Sequence, residues 1–309
     1  MKLGIIGSGN VGEIVAYTAA CRGLVNEVVF NDIIKQRAIS QAMDLNDGRA
    51  FYPHDVKATA GEYNEMGDCD IIVVCSGQIP TSGDRLHELQ LNQEAVGKYV
   101  EEVVASGFDG IFIVVTNPCD VITYQVYKHS GFPAHKVIGS GTALDSARLN
   151  VVIADHIGVS PKSVHGNVLG EHGESQFVPW SQVRIGNETI DRYAKKHPEL
   201  FKNFDRDKIE NDTRKRGWDI FQGKASTQYG IANTVNNLIS AIKNDDQIIL
   251  NASAYLDGQY GLEDLYISTP IRVGKNGIEE IIELPLTERE LERFNETAEV
   301  IKCHIEKLS

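Results

Sequence analysis

A histidine stands between two glycines in the stretch GEHGES, residues 170–175. Glycine tolerates backbone conformations and close approaches that other residues cannot adopt, so this setting would present the imidazole of His172 to a ligand. Glu171 and Glu174 lie close by in the chain. On this stretch alone, a loop histidine that accepts a hydrogen bond is an equally good interpretation, and other parts of the chain must distinguish the two.

Three further segments contain polar side chains that a site for an organic acid would need. Arg85 follows a loop rich in glycine and proline, Asn117 lies in TNPCD, and Asp145 and Arg148 are three residues apart, on one face of a predicted helix. An arginine that binds a carboxylate and a His–Asp dyad that moves a proton would together suit a 2-oxo or 2-hydroxy acid. Taken singly, they have simpler interpretations: a helix ion pair, a solvated helix start and a turn.

A glycine-rich turn near the start of the chain has the spacing of a dinucleotide site. Gly7, Gly9 and Gly12 belong to GSGNVG, which directly follows an apolar run and begins a helical pattern. The first glycine permits a tight turn, the second lets the backbone approach a pyrophosphate, and the third allows close packing of helix on strand. Asn10 and Val11 complete the predicted cofactor-binding turn.

Asp32 follows the second apolar run, 20 residues after Gly12. A carboxylate at this place can accept a hydrogen bond from a ribose hydroxyl, and its charge would repel an adenosine 2′-phosphate. The sequence therefore predicts NAD rather than NADP, although Lys35 nearby argues weakly for the phosphate. The alternative, a glycine-rich turn with a surface aspartate, is disfavoured because strand, turn, helix and acid stand in register.

Short apolar runs alternate with helical patterns through the first half of the chain. The runs are rich in β-branched residues and do not alternate with polar ones, which is typical of strands buried on both faces. They lie at 2–6, 27–30, 70–75, 110–115 and 136–139. Repeated β-α units of this kind predict an α/β fold with an N-terminal Rossmann-type, doubly wound parallel sheet.

The pattern changes at about residue 142. A helix there precedes short alternating strands, a helical pair, three longer strand-like segments and a C-terminal helix. We therefore expect an NAD-binding Rossmann domain over residues 1–141 and a C-terminal α+β substrate domain over residues 142–309. Because no low-complexity linker separates the two, they should pack closely, with a ligand cleft between them.

Composition limits the class of protein. The chain has 309 residues, of which 42% are hydrophobic and 24% charged, and a formal net charge of -13, which disfavours a nucleic-acid partner. No apolar stretch approaches the roughly 20 residues that span a bilayer, and the five cysteines contain no CxxC pair. The sequence predicts a soluble, cytoplasmic protein with reduced thiols, which binds neither nucleic acid nor membrane.

Two other kinds of chemistry are disfavoured. His165, Glu171, His172 and Glu174 lie close in sequence, but their spacing matches no metal-ligand pattern, so no metal site is expected. Cys119 has no histidine beside it in NPCD, and a small buried thiol is a commoner role for such a cysteine than a nucleophile.

Taken together, these segments resemble the lactate/malate dehydrogenase superfamily over essentially the whole chain and in the family's order. The motifs that carry the resemblance are GSGNVG with Asp32, the loop before Arg85, TNPCD, GTALDSAR, GEHGES and GKASTQYG. Within the superfamily, GFPAHKVIGSGTALDSAR, NVLGEHGESQFVPWS and PTSGDRLHEL look most like the L-2-hydroxyisocaproate dehydrogenases of lactic bacteria. The resemblance implies an NAD-dependent oxidoreductase that transfers a hydride between cofactor and a 2-oxo acid, as a homodimer or homotetramer.

The resemblance also implies a role for each polar side chain. His172 would be the catalytic acid and base, and Asp145 would bind its other ring nitrogen. Arg148 would bind the substrate carboxylate, and Arg85, on a closing loop, would polarise the substrate carbonyl. Asn117 would orient the reacting oxygen and the nicotinamide. Further cofactor contacts are expected at Ser76, Gly77 and Thr116.

In this family a loop residue shortly before the catalytic arginine contacts the substrate side chain. The loop here looks one residue short, so the matching position is Ile79, Pro80 or Thr81, with Thr227 on the opposite wall. None of the three can pair with a second carboxylate, and Asp84 would repel one. We therefore expect a substrate with an uncharged aliphatic side chain, and malate is not expected to be the substrate. L-lactate dehydrogenase is the alternative, and an NAD-binding sensor without turnover is the alternative from another class.

Overall fold

A parallel sheet forms the first half of the chain. The computed structural model describes residues 1–77 and 85–307, and of residues 85–94 it describes the backbone alone. The parallel strands are β1 (Lys2–Ile6), β2 (Glu27–Asn31), β3 (Lys57–Ala60), β4 (Ile71–Val74), β5 (Ile111–Val114) and β6 (Val137–Gly139). They lie in the order β6-β5-β4-β1-β2-β3. From β1 the chain first adds β2 and β3 on one side and then β4, β5 and β6 on the other. This is the predicted doubly wound, Rossmann-type arrangement.

Helices cover both faces of this sheet. They are α1 (Gly12–Cys21), α2 (Lys35–Asp47), α3 (Arg85–Ala105) and α4 (Cys119–Ser130). α1 and α2 pack on one face, where Val15 and Leu45 are buried, and α3 and α4 pack on the other, where Val100 and Ile122 are buried. Because both faces are covered, central strands such as β4 are buried at every residue, which explains their uninterrupted apolar sequence.

The edge strand β3 is not predicted by the sequence patterns. Its four residues, KATA, include one β-branched residue and expose three of their side chains, so no apolar run marks the strand. It forms because it completes the backbone hydrogen bonds of β2, in parallel register from Lys57 opposite Glu27 to Ala60 opposite Phe30. An edge strand of this kind depends on backbone pairing more than on burial.

The second half of the chain contains both helices and antiparallel strands. Its helices are α5 (Ala143–Ile157), α6 (Ile190–Lys196), α7 (Arg206–Lys224), α8 (Tyr229–Asn244) and α9 (Glu288–Glu306). Its strands are β7 (Val164–His165), β8 (Arg184–Ile185), β9 (Glu188–Thr189), β10 (Ile248–Asp257), β11 (Glu263–Gly274) and β12 (Gly277–Ile281). β7, β8 and β9 form a small separate sheet.

The long strands of the second half extend the sheet of the first. β10 pairs antiparallel with β6 at Ser253 and Gly139, and β11 and β12 follow, which gives a sheet of nine strands over the described ranges. A Cβ on Gly139 would lie 2.7 Å from Cβ of Ser253, so a glycine lets the two strands approach. α8 also crosses to the first half, where Asn236 donates to the carbonyl oxygen of Val15 over 3.0 Å. The two halves therefore share one sheet and one core.

Candidate active site

The imidazole of His172 lies against a buried carboxylate. Its Nδ1 is 2.7 Å from Oδ2 of Asp145, whose side chain is 2% exposed, whereas that of His172 is 28% exposed. The first turn of α5 carries Asp145, and residues 170–175, here named the His172 loop, carry the imidazole. An ionised carboxylate can only accept, so Nδ1 holds the proton between them, and Nε2 is the ring nitrogen left to exchange a proton with a ligand.

Arg148 uses the other oxygen of the same carboxylate. Its Nη1 donates to Oδ1 of Asp145 over 3.0 Å, and its side chain is 11% exposed. The two residues are three apart in α5, so the helix places them side by side. A guanidinium has five N–H groups in a planar fork, and Arg148 therefore keeps donors for the carboxylate of a ligand.

Asp145 and His172 shift each other's pKa, and the charge of Arg148 acts on both. Burial alone would raise the pKa of Asp145, but His172 and Arg148 outweigh burial and hold that pKa below its ordinary value. Burial alone would lower the pKa of His172, whereas the charge and the hydrogen bond of Asp145 raise it above the usual value of a histidine. The imidazole therefore keeps its proton to higher pH than a free histidine, which suits a proton donor.

A second buried carboxylate holds the backbone from which the imidazole projects. Oδ2 of Asp120 accepts the backbone N–H of His172 over 2.7 Å, and Oδ1 accepts the hydroxyl of Ser253 over 2.6 Å. Burial raises the pKa of Asp120 to about 6, although both hydrogen bonds act in the opposite direction. Through this side chain, α4 and β10 are both tied to the His172 loop.

The glycine-rich turn has the close contacts that its sequence pattern requires. Gly7 has a φ of +90°, and a Cβ on Gly12 would lie 2.1 Å from the carbonyl oxygen of Gly7, so both positions need glycine. Gly9 and the exposed Asn10 form the tip of the turn, and Val11 packs against the core on the α1 face. The helix expected from Val11 begins one residue later, and a helix N-terminus is a favourable place for an anion.

Asp32 is held directly after β2 by donors from this turn. Its Oδ2 accepts the backbone N–H and the hydroxyl of Ser8 over 3.0 and 3.1 Å, and its side chain is 6% exposed. Nη1 of Arg37 lies 3.7 Å from the same oxygen, while Lys35 pairs with Glu62. The fixed carboxylate fits a ribose diol, and Lys35, engaged elsewhere, does not offset its repulsion of a 2′-phosphate.

The carboxyl ends of β4 and β5 meet beside the turn. Thr116 donates its hydroxyl to the carbonyl oxygen of Ser76 over 2.5 Å, and Ser76 donates its own to the phenol oxygen of Tyr99 over 3.1 Å. A Cβ on Gly77 would lie 3.7 Å from Cγ2 of Thr116. Asn117 follows, exposed, with a cis peptide bond to the next residue. Of the residues expected to contact the cofactor here, Ser76 and Thr116 are thus hydrogen-bonded to each other, and Gly77 lies beside them.

Several side chains expected to contact the substrate lie outside the described part of the chain. These are Ile79, Pro80 and Thr81, together with the side chain of Arg85, whose backbone begins α3 rather than ending a loop. Thr227 is described, and it is half-buried in the turn between α7 and α8. The two helices on either side of this turn, α7 and α8, both pack against α5, which carries the Asp145–Arg148 pair.

A glycine of α7 lies at the end of the Arg148 guanidinium. A Cβ on Gly217 would be 3.2 Å from Nη1 and 3.3 Å from Nη2 of Arg148. Because Gly217 has no side chain, α7 can pack close to both terminal nitrogens. Any ligand whose carboxylate reached these nitrogens would have α7 as a neighbour.

Sequence reasoning misses three residues of this site: Asp120, Ser253 and Gly217. Asp120 had a usable signal, since it is an acid in the first turn of a helix that directly follows a predicted ligand-binding strand end. Ser253 and Gly217 have none, because only the packing of β10 on β6 and of α7 on α5 brings them to the site.

Neither a metal site nor a membrane-spanning helix is found in the part of the chain that the structure describes. Among the side chains of residues 1–77 and 95–307, no group of three or more His, Cys, Asp and Glu residues is arranged to hold a metal ion. No helix in the part of the chain that the structure describes is both long and apolar enough to cross a bilayer. The cysteines at positions 21, 69, 75, 119 and 303 are free thiols.

Comparison with known proteins gives matches over the whole chain. Residues 1–139 match the NAD-binding domain of lactate/malate dehydrogenases, and residues 142–309 match their alpha/beta C-terminal domain. The chain is 40% identical over 308 residues to L-lactate dehydrogenase 3 of Bacillus cereus, which covers 99% of this chain and 98% of that relative. The chain belongs to the lactate/malate dehydrogenase family. It is thus an NAD-dependent enzyme of that family, as the motifs predict.

Solved structures of the family have the same fold. The minor L-lactate dehydrogenase of Enterococcus mundtii is 36% identical with a TM-score of 0.96, over 100% of this chain and 98% of that one. Malate dehydrogenase of Salinibacter ruber is 31% identical with a TM-score of 0.90, over 100% of this chain and 97% of that one. The predicted superfamily, fold class and cofactor are therefore confirmed, while the domain boundary after residue 141 and the residue roles stay predictions.

Asp32→Ser tests how the enzyme distinguishes its cofactors. Without the carboxylate, the ribose loses an acceptor and a 2′-phosphate loses a repulsive charge, while Arg37 remains nearby. We expect the ratio of kcat/KM for NADH to that for NADPH to fall at least about tenfold. Lys35→Ala is the matched control, because its ammonium is paired with Glu62, and it should leave the ratio unchanged. A ratio unaffected by Asp32→Ser would rule out this role for the carboxylate.

Asp145→Asn tests the electrostatics of the imidazole. Asparagine keeps the shape of the side chain but removes its charge, so burial then dominates and the pKa of His172 falls. We expect the NMR titration of the His172 ring to move to lower pH. Asp264→Asn, at an exposed carboxylate that binds Tyr124 and Lys128, should leave the curve in place. Identical curves for the wild type and both variants would show that the charge of Asp145 does not raise the pKa of His172.

Proposed function

We propose that the protein is an NAD-dependent L-2-hydroxy acid dehydrogenase whose main reaction is the reversible reduction of pyruvate to L-lactate. The observation that carries this proposal is the binding of His172 and Arg148 to the two oxygens of one buried carboxylate, Asp145. A proton donor and a carboxylate-binding group are thereby fixed side by side. Pyruvate is favoured because relatives that match nearly the whole chain are named L-lactate dehydrogenases.

NADH supplies the hydride, and the residues of the chain supply position, charge and a proton. As C2 of the 2-oxo acid is reduced, Nε2 of His172 donates its proton to the oxygen on C2, and the neutral ring takes a proton back in the reverse direction. Asp145 keeps Nδ1 protonated and stabilises the imidazolium before transfer. Because the pKa of His172 is raised, reduction stays efficient from low pH up to that pKa and declines as the pH rises through it, whereas oxidation gains.

The other polar residues are proposed to orient the substrate. Arg148 would bind its carboxylate through the planar fork, and Arg85 would polarise the carbonyl and stabilise the charge that develops on its oxygen. Asn117 would orient that oxygen and the nicotinamide, which its exposure at the carboxyl end of β5 supports, since ligands of open α/β sheets bind at that edge. Thr227 would contact the substrate from the turn after α7.

Residues at the edge of the parallel sheet are proposed to hold the cofactor. The pyrophosphate would lie on the turn that contains Gly7, Gly9 and Gly12, at the N-terminus of α1. The adenosine ribose would bind Asp32. The patch of Ser76, Gly77 and Thr116 would line the path from there to the nicotinamide, and Asn10 and Val11 would complete the turn. The close approaches required at Gly7 and Gly12 support this fit.

A panel of 2-oxo acids tests the proposed function. NADH oxidation is followed with pyruvate, oxaloacetate, 2-oxobutyrate, 2-oxoisocaproate and phenylpyruvate, and we expect the highest kcat/KM with pyruvate. Loss of the proton donor in His172→Ala should lower kcat by about a thousandfold while the enzyme still binds NADH. A protein that binds NADH but reduces none of these acids would be the NAD-binding sensor instead.

An L-2-hydroxyisocaproate dehydrogenase is the second candidate. The stretches GFPAHKVIGSGTALDSAR, NVLGEHGESQFVPWS and PTSGDRLHEL, which resemble those dehydrogenases, favour it. The sequence of the loop adds support, because Ile79, Pro80 and Thr81 offer no charge to a substrate side chain. A kcat/KM that rises from pyruvate to 2-oxoisocaproate would establish this candidate.

Gly217→Ala separates the two candidates further. A methyl group at this position would crowd the guanidinium of Arg148 and shift the bound substrate, and a larger substrate tolerates such a shift less well. We expect kcat/KM for 2-oxoisocaproate to fall about tenfold more than that for pyruvate. Gly223→Ala, on the same helix but with no neighbour within 4 Å of its added Cβ, is the control. Equal losses with both acids would mean that Gly217 affects carboxylate binding alone.

We also propose a cytoplasmic homodimer or homotetramer. Exposed apolar side chains support an interface between copies, namely Met43 on α2, Phe51 after it and Trp218 on α7. Light scattering of the purified protein measures the assembly directly.

A further inference from the structure

The C-terminal helix α9 buries one polar side chain among apolar ones. Its buried residues are Phe294, Thr297, Ala298 and Ile301, at helical spacing, and Thr297 is 0% exposed. A hydroxyl group in such surroundings costs free energy unless it is hydrogen-bonded, so its partners indicate its role. Those partners all belong to the His172 loop.

The hydroxyl of Thr297 joins the two ends of this loop. Its Oγ1 accepts the backbone N–H of Glu171 over 2.9 Å and lies 2.6 Å from Oγ of Ser175. Ser175 donates its own proton to Oε2 of Glu171 over 2.6 Å, so Thr297 is the donor to Ser175. The result is a closed chain of hydrogen bonds that begins and ends on Glu171. His172 lies within the segment that this chain encloses.

The helix α9 and the His172 loop are in close contact at Gly170 and Thr297. A Cβ on Gly170 would lie 2.6 Å from Cγ2 of Thr297, and Gly170 has a φ of +95°, so this position requires glycine. The next two amides are both held: the N–H of Glu171 by Thr297 on α9, and the N–H of His172 by Asp120 on α4. Consecutive amides bound by two different helices fix the direction in which the imidazole leaves the backbone.

We propose that Thr297 is a positioning residue for His172. Through Glu171 and Ser175 it holds the loop so that Nδ1 of the imidazole meets Asp145, and the C-terminal helix thereby supports proton transfer. This inference rests on the proposed role of His172 as the proton donor. Thr297 acts through the loop, and the chemistry itself belongs to His172.

Thr297→Val tests the proposal, because valine keeps the shape of threonine and lacks the hydroxyl. Thr297→Ser keeps the hydroxyl and serves as the rescue. Thr213→Val is the matched control, since Thr213 is also buried and its hydroxyl donates within α7, to the carbonyl oxygen of Ile209.

Two measurements are made on each variant. The first is the low-field proton NMR signal of Nδ1–H in His172, assigned by its absence from His172→Gln, and the second is steady-state kinetics with pyruvate and NADH. We expect Thr297→Val to lose the signal to exchange with water and to lower kcat about tenfold with KM for NADH unchanged. Thr297→Ser and Thr213→Val should keep the signal and stay within about twofold of the wild-type kcat.

A folded Thr297→Val protein with the wild-type signal and kcat would overturn the proposal, and so would equal losses in Thr213→Val. If Thr297→Val does not fold, Ser175→Ala breaks the same chain of hydrogen bonds from the loop side and must also lose the signal. The NMR measurement needs no substrate. A wild-type protein that shows the signal but reduces no 2-oxo acid therefore refutes the proposed function and still leaves the effect of Thr297 measurable.

Discussion

The site depends on a single carboxylate that is shielded from water. An ionised group in such a place is costly unless partners replace the lost hydration, and Asp145 has one charged partner on each oxygen. One partner comes from its own helix, but the other is 27 residues further along the chain. The His172 loop must therefore be held in place by the fold, since a small displacement would leave one oxygen of a buried carboxylate without its partner.

Several distant elements provide that restraint. Asp120 brings α4 and, through Ser253, the strand β10 to the backbone of His172, and Thr297 brings α9 to the residue before it. Each contact uses a buried polar group whose own hydrogen-bonding requirement is met by the loop. The same hydrogen bonds thus satisfy these buried groups and orient the imidazole.

Much of this could be predicted from local patterns. Apolar β-branched runs identify the central strands because those strands are covered on both faces, and the three-residue spacing of Asp145 and Arg148 identifies their shared helix face. The edge strand β3 carries no such signal, since pairing rather than burial forms it. Ser253, Thr297 and Gly217 reach the site only through tertiary packing. The choice between pyruvate and a larger acid depends on differences of ~1–3 kcal/mol in one pocket, which no motif encodes.

The shared sheet also determines how this chain can be divided. A fragment that stopped after β6 would leave Val137–Gly139, buried in the whole protein, as an uncovered strand edge. Unpaired apolar edges of this kind recruit other strands and promote aggregation. In the whole protein, this side of the sheet ends at β12 instead. The charges of Glu279 and Glu280 on β12 discourage pairing with other strands. The C-terminal half therefore covers this edge of the N-terminal half, and it also carries Asp145, Arg148 and His172.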